Sequence, residues 1–158
     1  HRVFRTLLGP TNGSMGYGVP AAVAAKLTYP QRTVIAFAGD GCFMMNGQEL
    51  ATAAHYDARL ITIVINNGMY GTIRMHQERS YPGRVSGTEL HNPDFAALAR
   101  AYGLHGETVT RTEDFAAAFE RCQASGKAAL IEIQVDPEAL TPRMTLSQIR
   151  DKALQSAR

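Results

Sequence analysis

Thr33-Val34-Ile35-Ala36-Phe37-Ala38, running into Gly39-Asp40-Gly41, and Leu60-Ile61-Thr62-Ile63-Val64-Ile65, running into Asn66-Asn67-Gly68, are the two stretches on which the fold turns. Both are short apolar runs rich in β-branched residues. Neither alternates with polar residues, which is the pattern of strands buried on both faces in a parallel sheet. Between them the sequence predicts a helix: Asn46 can cap it, Glu49 can complete a capping box, and Leu50, Ala51, Ala53 and Ala54 supply an apolar face. Strand, helix and strand together make a βαβ crossover.

The same alternation extends in both directions. Upstream, Pro20 suits a first helical position, and Ala21 to Leu27 is small and apolar until Pro30 forces an exit. Downstream, Pro93 follows a capping Asn92, and Phe95, Leu98, Ala99 and Tyr102 recur at helical spacing before Gly103. Phe115, Ala118, Phe119 and Cys122 repeat the pattern before Gly126, and Ala128 to Val135 reads as a further strand. The expectation is an α/β fold, an open, mostly parallel sheet with helices on both faces, followed by a charged tail from Ser147 to Arg158. Tyr70 to His91 fits this scheme least. It is a long polar connection carrying His76 and Glu78, and connections of that kind are often functional, so these two are candidates to contact substrate.

Composition limits the alternatives. With 158 residues, 45% hydrophobic and 19% charged, the chain fits one globular domain. A domain of this length buries roughly 70% of its unfolded surface without needing disulfides or zinc. Cys42 and Cys122 are far apart and form no CxxC, so a reducing, cytoplasmic setting is the default. A net charge of +2, with no block of basic residues, lacks the footprint of a nucleic-acid binder. The longest apolar runs are too short to cross a bilayer. The chain begins His1-Arg2-Val3 with no methionine and no signal pattern, which reads as a piece of a longer polypeptide.

Candidate chemistry gathers at the ends of the two decisive strands. In open parallel sheets ligands bind at the C-terminal edge, where Asp40 offers a carboxylate and Asn67 a neutral amide oxygen. Mg²⁺ accepts one or two carboxylates and completes its shell with water and phosphate oxygens, so such a pair suits a metal carrying a phosphorylated ligand, with Gly41 leaving room for the phosphates. Taken singly, Gly-Asp-Gly and Asn-Gly are common turns; their joint placement carries the reading. Gly13-Ser14-Met15-Gly16-Tyr17-Gly18 runs GxxGxG rather than GxGxxG and follows no strand, so it is not a dinucleotide loop. It offers exposed backbone, and Met15 can support a flat heteroaromatic ring. Cys42 reads as a small residue beside the anion site, Cys122 as a core residue, and His55 and His91 as surface or capping residues.

These residues resemble the cofactor signature of the thiamine diphosphate-dependent enzymes, in the acetolactate synthase and 2-oxo acid decarboxylase branch. The match lies in Gly39-Asp40-Gly41 with Asn66-Asn67 downstream, and it extends from Gly13-Ser14-Met15-Gly16-Tyr17-Gly18 to Asp136-Pro137. The resemblance implies that residues 1–158 are the C-terminal diphosphate-binding domain, a fragment of a multidomain chain, with another strand expected ahead of His1. It implies that Asp40, the Asn67 side chain and the Met69 carbonyl hold Mg²⁺, while Gly41, Cys42, Tyr70 and Gly71 border the diphosphate. Gly13, Ser14 and Met15 would meet the aminopyrimidine and the bend of the cofactor. The cofactor carbanion would then attack a 2-oxo acid, carbon dioxide would leave, and the two-carbon or acyl-anion unit would pass to a second carbonyl or be protonated.

In this family the activating glutamate comes from the N-terminal pyrimidine-binding domain of a neighbouring subunit, which implies a homodimer or homotetramer and an inactive isolated fragment. Two departures bear on the substrate. Standard acetohydroxyacid synthases carry a tryptophan where His76 stands, and pyruvate decarboxylases a glutamate where Ile73 stands. Asn66 to Arg74 is also similar to benzoylformate decarboxylases. A non-catalytic α/β nucleotide-binding module and a flavodoxin-like FMN binder are the competing readings.

Overall fold

A computed structural model describes residues 3–156. The two decisive runs become adjacent strands, β1 (Ile35–Gly39) and β2 (Ile61–Asn66), joined by β3 (His105–Val109) and β4 (Ala129–Gln134). All pairings are parallel and the order is β1-β2-β4-β3. Among the described residues seven α-helices accompany them: α1 (Gly18–Thr28), α2 (Asp40–Asn46), α3 (Leu50–His55), α4 (Gly71–Ser80), α5 (Phe95–Ala101), α6 (Phe115–Ala124) and α7 (Leu146–Ser156). No helix among the described residues is long and apolar enough to cross a membrane.

Period-two alternation splits the core into two layers. On one face Ala36, Ala38, Val64 and Leu130 pack against α1, α2, α3 and α5, where the Phe43 and Phe95 rings meet edge to face at 5.2 Å. On the other face Ile61, Ile63 and Ile131 pack against Ala118 and Cys122 of α6. Helices therefore cover both faces, and β2 and β4 are buried as their apolar runs require. β1 departs from the expectation of two buried faces. It is an edge strand, α6 does not reach it, and Phe37 is 69% exposed.

Several local expectations are corrected. Asp40 opens α2 directly from the strand, so no separate loop follows Gly39. Asn46 caps nothing. Its amide donates to the Gly16 carbonyl at 3.1 Å, and Glu49 accepts from Thr52 Oγ1 at 2.7 Å instead of closing a capping box. α2 is followed by a 3₁₀ turn, Gly47–Glu49, and then α3. Pro20 lies within the first turn of α1 rather than at its first position, which costs nothing because first-turn N–H groups have no helical partner. α5 is capped by Asp94, whose carboxylate accepts from the Ala97 N–H at 2.7 Å, leaving Asn92 free for another role. The Tyr70–His91 connection contains α4, and the charged tail is α7, packed against it.

The α4–α7 contact is built on a buried charge. Glu78 is almost fully enclosed and receives Arg74 Nε at 3.0 Å from the previous turn, with Arg150 Nη2 at 2.7 Å and Nε at 2.9 Å from α7. The Gly83 N–H adds a contact at 2.8 Å. Hydrogen bonding from Arg150, reinforced by Gly83 and Arg74, outweighs burial and lowers the Glu78 carboxyl from 4.5 to about 2. A carboxyl depressed in this way stabilises the fold above its unfolded value and loses that contribution as pH falls through the folded one. Glu78→Ala strands two guanidinium groups and is expected to lower unfolding free energy by about 3 kcal/mol at neutral pH. In urea titrations the gap between wild type and variant should shrink as pH drops from about 4.5 towards 2. An equal gap at both ends would contradict this account.

Candidate functional site

The parallel register sets Gly39 beside Ile65, so the chain leaves β1 at Asp40 and β2 at Asn66 on the same edge of the sheet. Asp40 is only 2% exposed. Its Oδ1 accepts from the Gly41 N–H at 2.9 Å, while its Oδ2 accepts from the Gly68 N–H at 2.9 Å and from Asn92 Nδ2 at 2.8 Å. Asp40 thus reaches the residue directly after Asn67, so the two donors singled out in the sequence border one loop.

That loop is tightly specified. Gly68 has φ +70°, a conformation that glycine adopts without strain. Asn66 Oδ1 accepts from the Gly68 N–H at 3.1 Å and Asn67 Oδ1 from the Met69 N–H at 3.2 Å, two successive Asx turns. The chain then pairs with the return strand: Leu90 N–H donates to the Gly68 carbonyl and Tyr70 N–H to the Thr88 carbonyl, both at 2.9 Å. Met69 faces Glu89 across this antiparallel bridge, and its own carbonyl takes no part in the pairing. The partner of the Asn-Gly turn is thus residues 88–90, beyond α4, rather than an immediate hairpin strand.

The glycines on either side are explained by close approach. A Cβ on Gly41 would lie 2.5 Å from Cε1 and 2.7 Å from Cδ1 of Tyr70. One on Gly71 would lie 2.8 Å from Asn67 Nδ2 and 2.9 Å from Leu140 Cδ2. Asp40, Gly41, Asn67, Met69, Tyr70 and Gly71 therefore form one cluster. Cys42 is half-buried against the neighbouring core. Gly13, Ser14 and Met15 are exposed on the loop ahead of α1. Asn46 ties that loop to the end of α2 through Gly16, and Ser14 is held by Asn12.

The charge balance is informative. No ion pair among the described residues involves Asp40. A carboxylate has about four lone-pair directions, and three are taken by neutral donors, so Oδ1 keeps one acceptor site. A buried anion met only by N–H groups suits a hard cation, and the unengaged Met69 carbonyl and the second lone pair of Asn67 Oδ1 are donors of the right type.

Two other groupings are not sites of this kind. Glu78 is committed to the α4–α7 ion pair, whereas His76 is exposed on α4. His105, Glu107 and Cys122 come within 4.8 Å of one another at the opposite end of the strands, near a cavity of about 380 Å³. Arg121 grips both oxygens of Glu107 at 2.7 and 2.6 Å, which together with His105 lowers that carboxyl to about 2. Burial pushes the Cys122 thiol up to about 11. A paired carboxylate and a protonated thiol make a poor metal nest.

Sequence reasoning missed Asn92 and Glu132. Asn92, a helix cap by its place before Pro93, instead bridges Asp40 Oδ2 and, at 2.9 Å, Asn66 Oδ1 through its Nδ2. Glu132, 3% exposed on β4, accepts from Asn66 Nδ2 at 2.7 Å. A charged residue flanked by Ile131 and Ile133 within the apolar run is the signal available for it.

The family described as "Thiamine pyrophosphate enzyme, C-terminal TPP binding domain" matches residues 2–133. The chain belongs to that family. It is 39% identical over 125 residues to acetolactate synthase isozyme 2 large subunit of Escherichia coli, covering 78% of this chain and 23% of that protein. It is 34% identical over 131 residues to a probable acetolactate synthase large subunit of Methanocaldococcus jannaschii, covering 82% and 22%. Among solved structures, the thiamine diphosphate-dependent 4-hydroxybenzoylformate decarboxylase of Rhodococcus jostii superposes with a TM-score of 0.75 at 37% identity, over 80% of this chain and 24% of that one. The chain thus spans less than a quarter of the length of these relatives.

The Gly41–Tyr70 contact is open to a direct check. Gly41→Ala should destabilise the fold by about 1–3 kcal/mol by driving Cβ into the Tyr70 ring. In a Tyr70→Ala background the same change should cost almost nothing. Additive losses in thermal or denaturant unfolding would place the crowding elsewhere.

Proposed function

We propose that this chain is the diphosphate-binding domain of a longer thiamine diphosphate enzyme of the acetolactate synthase type. In this reading it binds Mg²⁺ and thiamine diphosphate. The observation that carries the reading is Asp40: a buried carboxylate with neutral partners only and one acceptor direction left, beside Asn67 and the Met69 carbonyl.

Asp40, the Asn67 side chain and the Met69 carbonyl would hold the metal, which would anchor the diphosphate. Gly41 and Cys42, in the first turn of α2, and Tyr70 and Gly71, at the start of α4, border the phosphates. Met15, on its exposed loop with Gly13 and Ser14, supports the bend of the cofactor and its pyrimidine end. When bound, thiamine diphosphate would supply the nucleophilic carbon for decarboxylation of a 2-oxo acid and transfer of the remaining unit to a second carbonyl. The chain's own contribution is placement: a fixed carboxylate geometry and glycines that let backbone and ring approach closely. The pyrimidine half of the site comes from a neighbouring subunit's N-terminal domain in a homodimer or homotetramer, in the cytoplasm, so the domain alone does not turn over substrate.

A second reading, simple decarboxylation of an aromatic 2-oxo acid, draws support from the 4-hydroxybenzoylformate decarboxylase superposition and from the run Asn66 to Arg74. Product identification with pyruvate and with benzoylformate in the assembled enzyme separates the two. Calorimetry tests the shared premise: thiamine diphosphate should release heat only when Mg²⁺ is present, and Asp40→Ala should abolish it. Metal-independent heat, or binding untouched by Asp40→Ala, would reject the assignment.

A further inference from the structure

Glu132 is a carboxylate buried inside the sheet with no basic partner among the described residues, and nothing in the reading above uses it. It lies on β4 opposite Val64 of β2 and Thr108 of β3. Oε1 accepts from Asn66 Nδ2 at 2.7 Å and Oε2 from Thr108 Oγ1 at 3.4 Å. From Asn66 the bonds continue. Asn66 Oδ1 accepts from Asn92 Nδ2 at 2.9 Å, and the same Nδ2 donates to Asp40 Oδ2 at 2.8 Å. A side-chain relay therefore crosses the sheet edge from Glu132 to Asp40 through two amides.

The polarity of this relay is fixed from both ends. An ionised carboxylate only accepts, whereas an amide side chain has one donating and one accepting end that can exchange by rotation. With Glu132 opposite, the Asn66 amide must present its NH₂ to β4, which turns its oxygen towards the Gly68 N–H and Asn92. Asn92 must then offer its NH₂ to that oxygen and to Asp40 Oδ2. Asp40 Oδ2 is thereby filled by two donors, and Oδ1, with Gly41 alone, keeps the free lone pair.

We propose that Glu132 is a positioning residue of the metal site: by accepting from the Asn66 amide it sets the orientation of Asn66 and Asn92 and so determines which oxygen of Asp40 faces the cation. Without that acceptor, Asn66 Nδ2 becomes an unpaired donor and its side chain moves to find another partner, loosening the chain that ends at Asp40. Outer hydrogen-bond partners of this type typically affect metal affinity about 10–100-fold. The inference rests on the metal-binding reading of Asp40.

The test uses Glu132→Met, which keeps length and volume but accepts no strong hydrogen bond, and Glu132→Gln, whose amide oxygen can still accept from Asn66. Mn²⁺ binding in the presence of thiamine diphosphate is followed by electron paramagnetic resonance, and the side-chain amide signals of Asn66 and Asn92 by NMR without metal. Glu132→Met should weaken Mn²⁺ about 10–100-fold and shift both amides, including that of Asn92, which Glu132 does not touch. Glu132→Gln should remain within about threefold of wild type, because the orienting acceptor persists. Unchanged Mn²⁺ affinity in Glu132→Met, or an unmoved Asn92 amide, overturns the proposal, as does equal loss in both variants. Should Glu132→Met fail to fold, Asn66→Leu breaks the same relay one link nearer Asp40 and must produce the same loss. Wild-type protein that binds no Mn²⁺ rejects the functional reading, whereas wild-type binding that Glu132→Met leaves intact rejects only the role of Glu132.

Discussion

Three separate segments deliver N–H groups to the carboxylate of Asp40: the first turn of α2 through Gly41, the loop after β2 through Gly68, and the segment before α5 through Asn92. Removing a carboxylate from water is costly unless its oxygens are paired, so this one side chain constrains all three segments at once. The strand-to-helix junction at Gly39–Asp40, the left-handed Gly68 and the release of Asn92 from capping duty are each local consequences of that requirement. A parallel sheet makes it possible, because β1 and β2 both end on one edge and their register brings Asp40 level with the Asn66-Asn67 turn.

Strands β1, β2 and β4 are legible in the sequence as apolar runs, and α5 and α6 follow from spacing, whereas α4 is hidden in the polar Tyr70–His91 connection. β3 is not legible. His105-Gly106-Glu107-Thr108-Val109 contributes only Val109 to the core as an edge strand, and Gly106 is there because any Cβ would collide with the Ala96 backbone of α5. The reading of β1 as fully enclosed fails for a related reason: residue types report that a strand is apolar, whereas coverage depends on which helices reach it.

The site divides along the same line. Asp40, Asn67 and Gly41 stand at strand ends and carry the family's spacing, so they are visible before any coordinates. Asn92 is hidden by an ambiguity in Asn92-Pro93-Asp94-Phe95, where either Asn92 or Asp94 could cap the helix on composition alone. The choice is made by a partner far away in sequence: Asp94 bonds Ala97, and Asn92 turns to Asp40. Asn46 presents the same ambiguity, resolved in favour of the Gly16 carbonyl. Capping residues are chemically suited to any buried acceptor or donor, and sequence pattern reports only the nearest candidate.

The buried carboxylates of this fold are treated in two ways, and the contrast separates scaffold from site. Glu78 is met by two guanidinium groups, so its charge is neutralised within the chain and the interaction closes on itself, joining α4 to α7. Glu107, only half-buried, is closed in the same way by Arg121. Asp40 and Glu132 instead receive only amide and hydroxyl donors, which stabilise a negative charge without cancelling it. Two such anions linked through Asn66 and Asn92 leave an excess of negative potential at the C-terminal edge of the sheet, where the Met69 carbonyl and the Asn67 amide oxygen also lie. Helix α2 begins at this point, and the positive end of its dipole partly offsets that excess. In the proposed reading, a divalent cation would offset the rest.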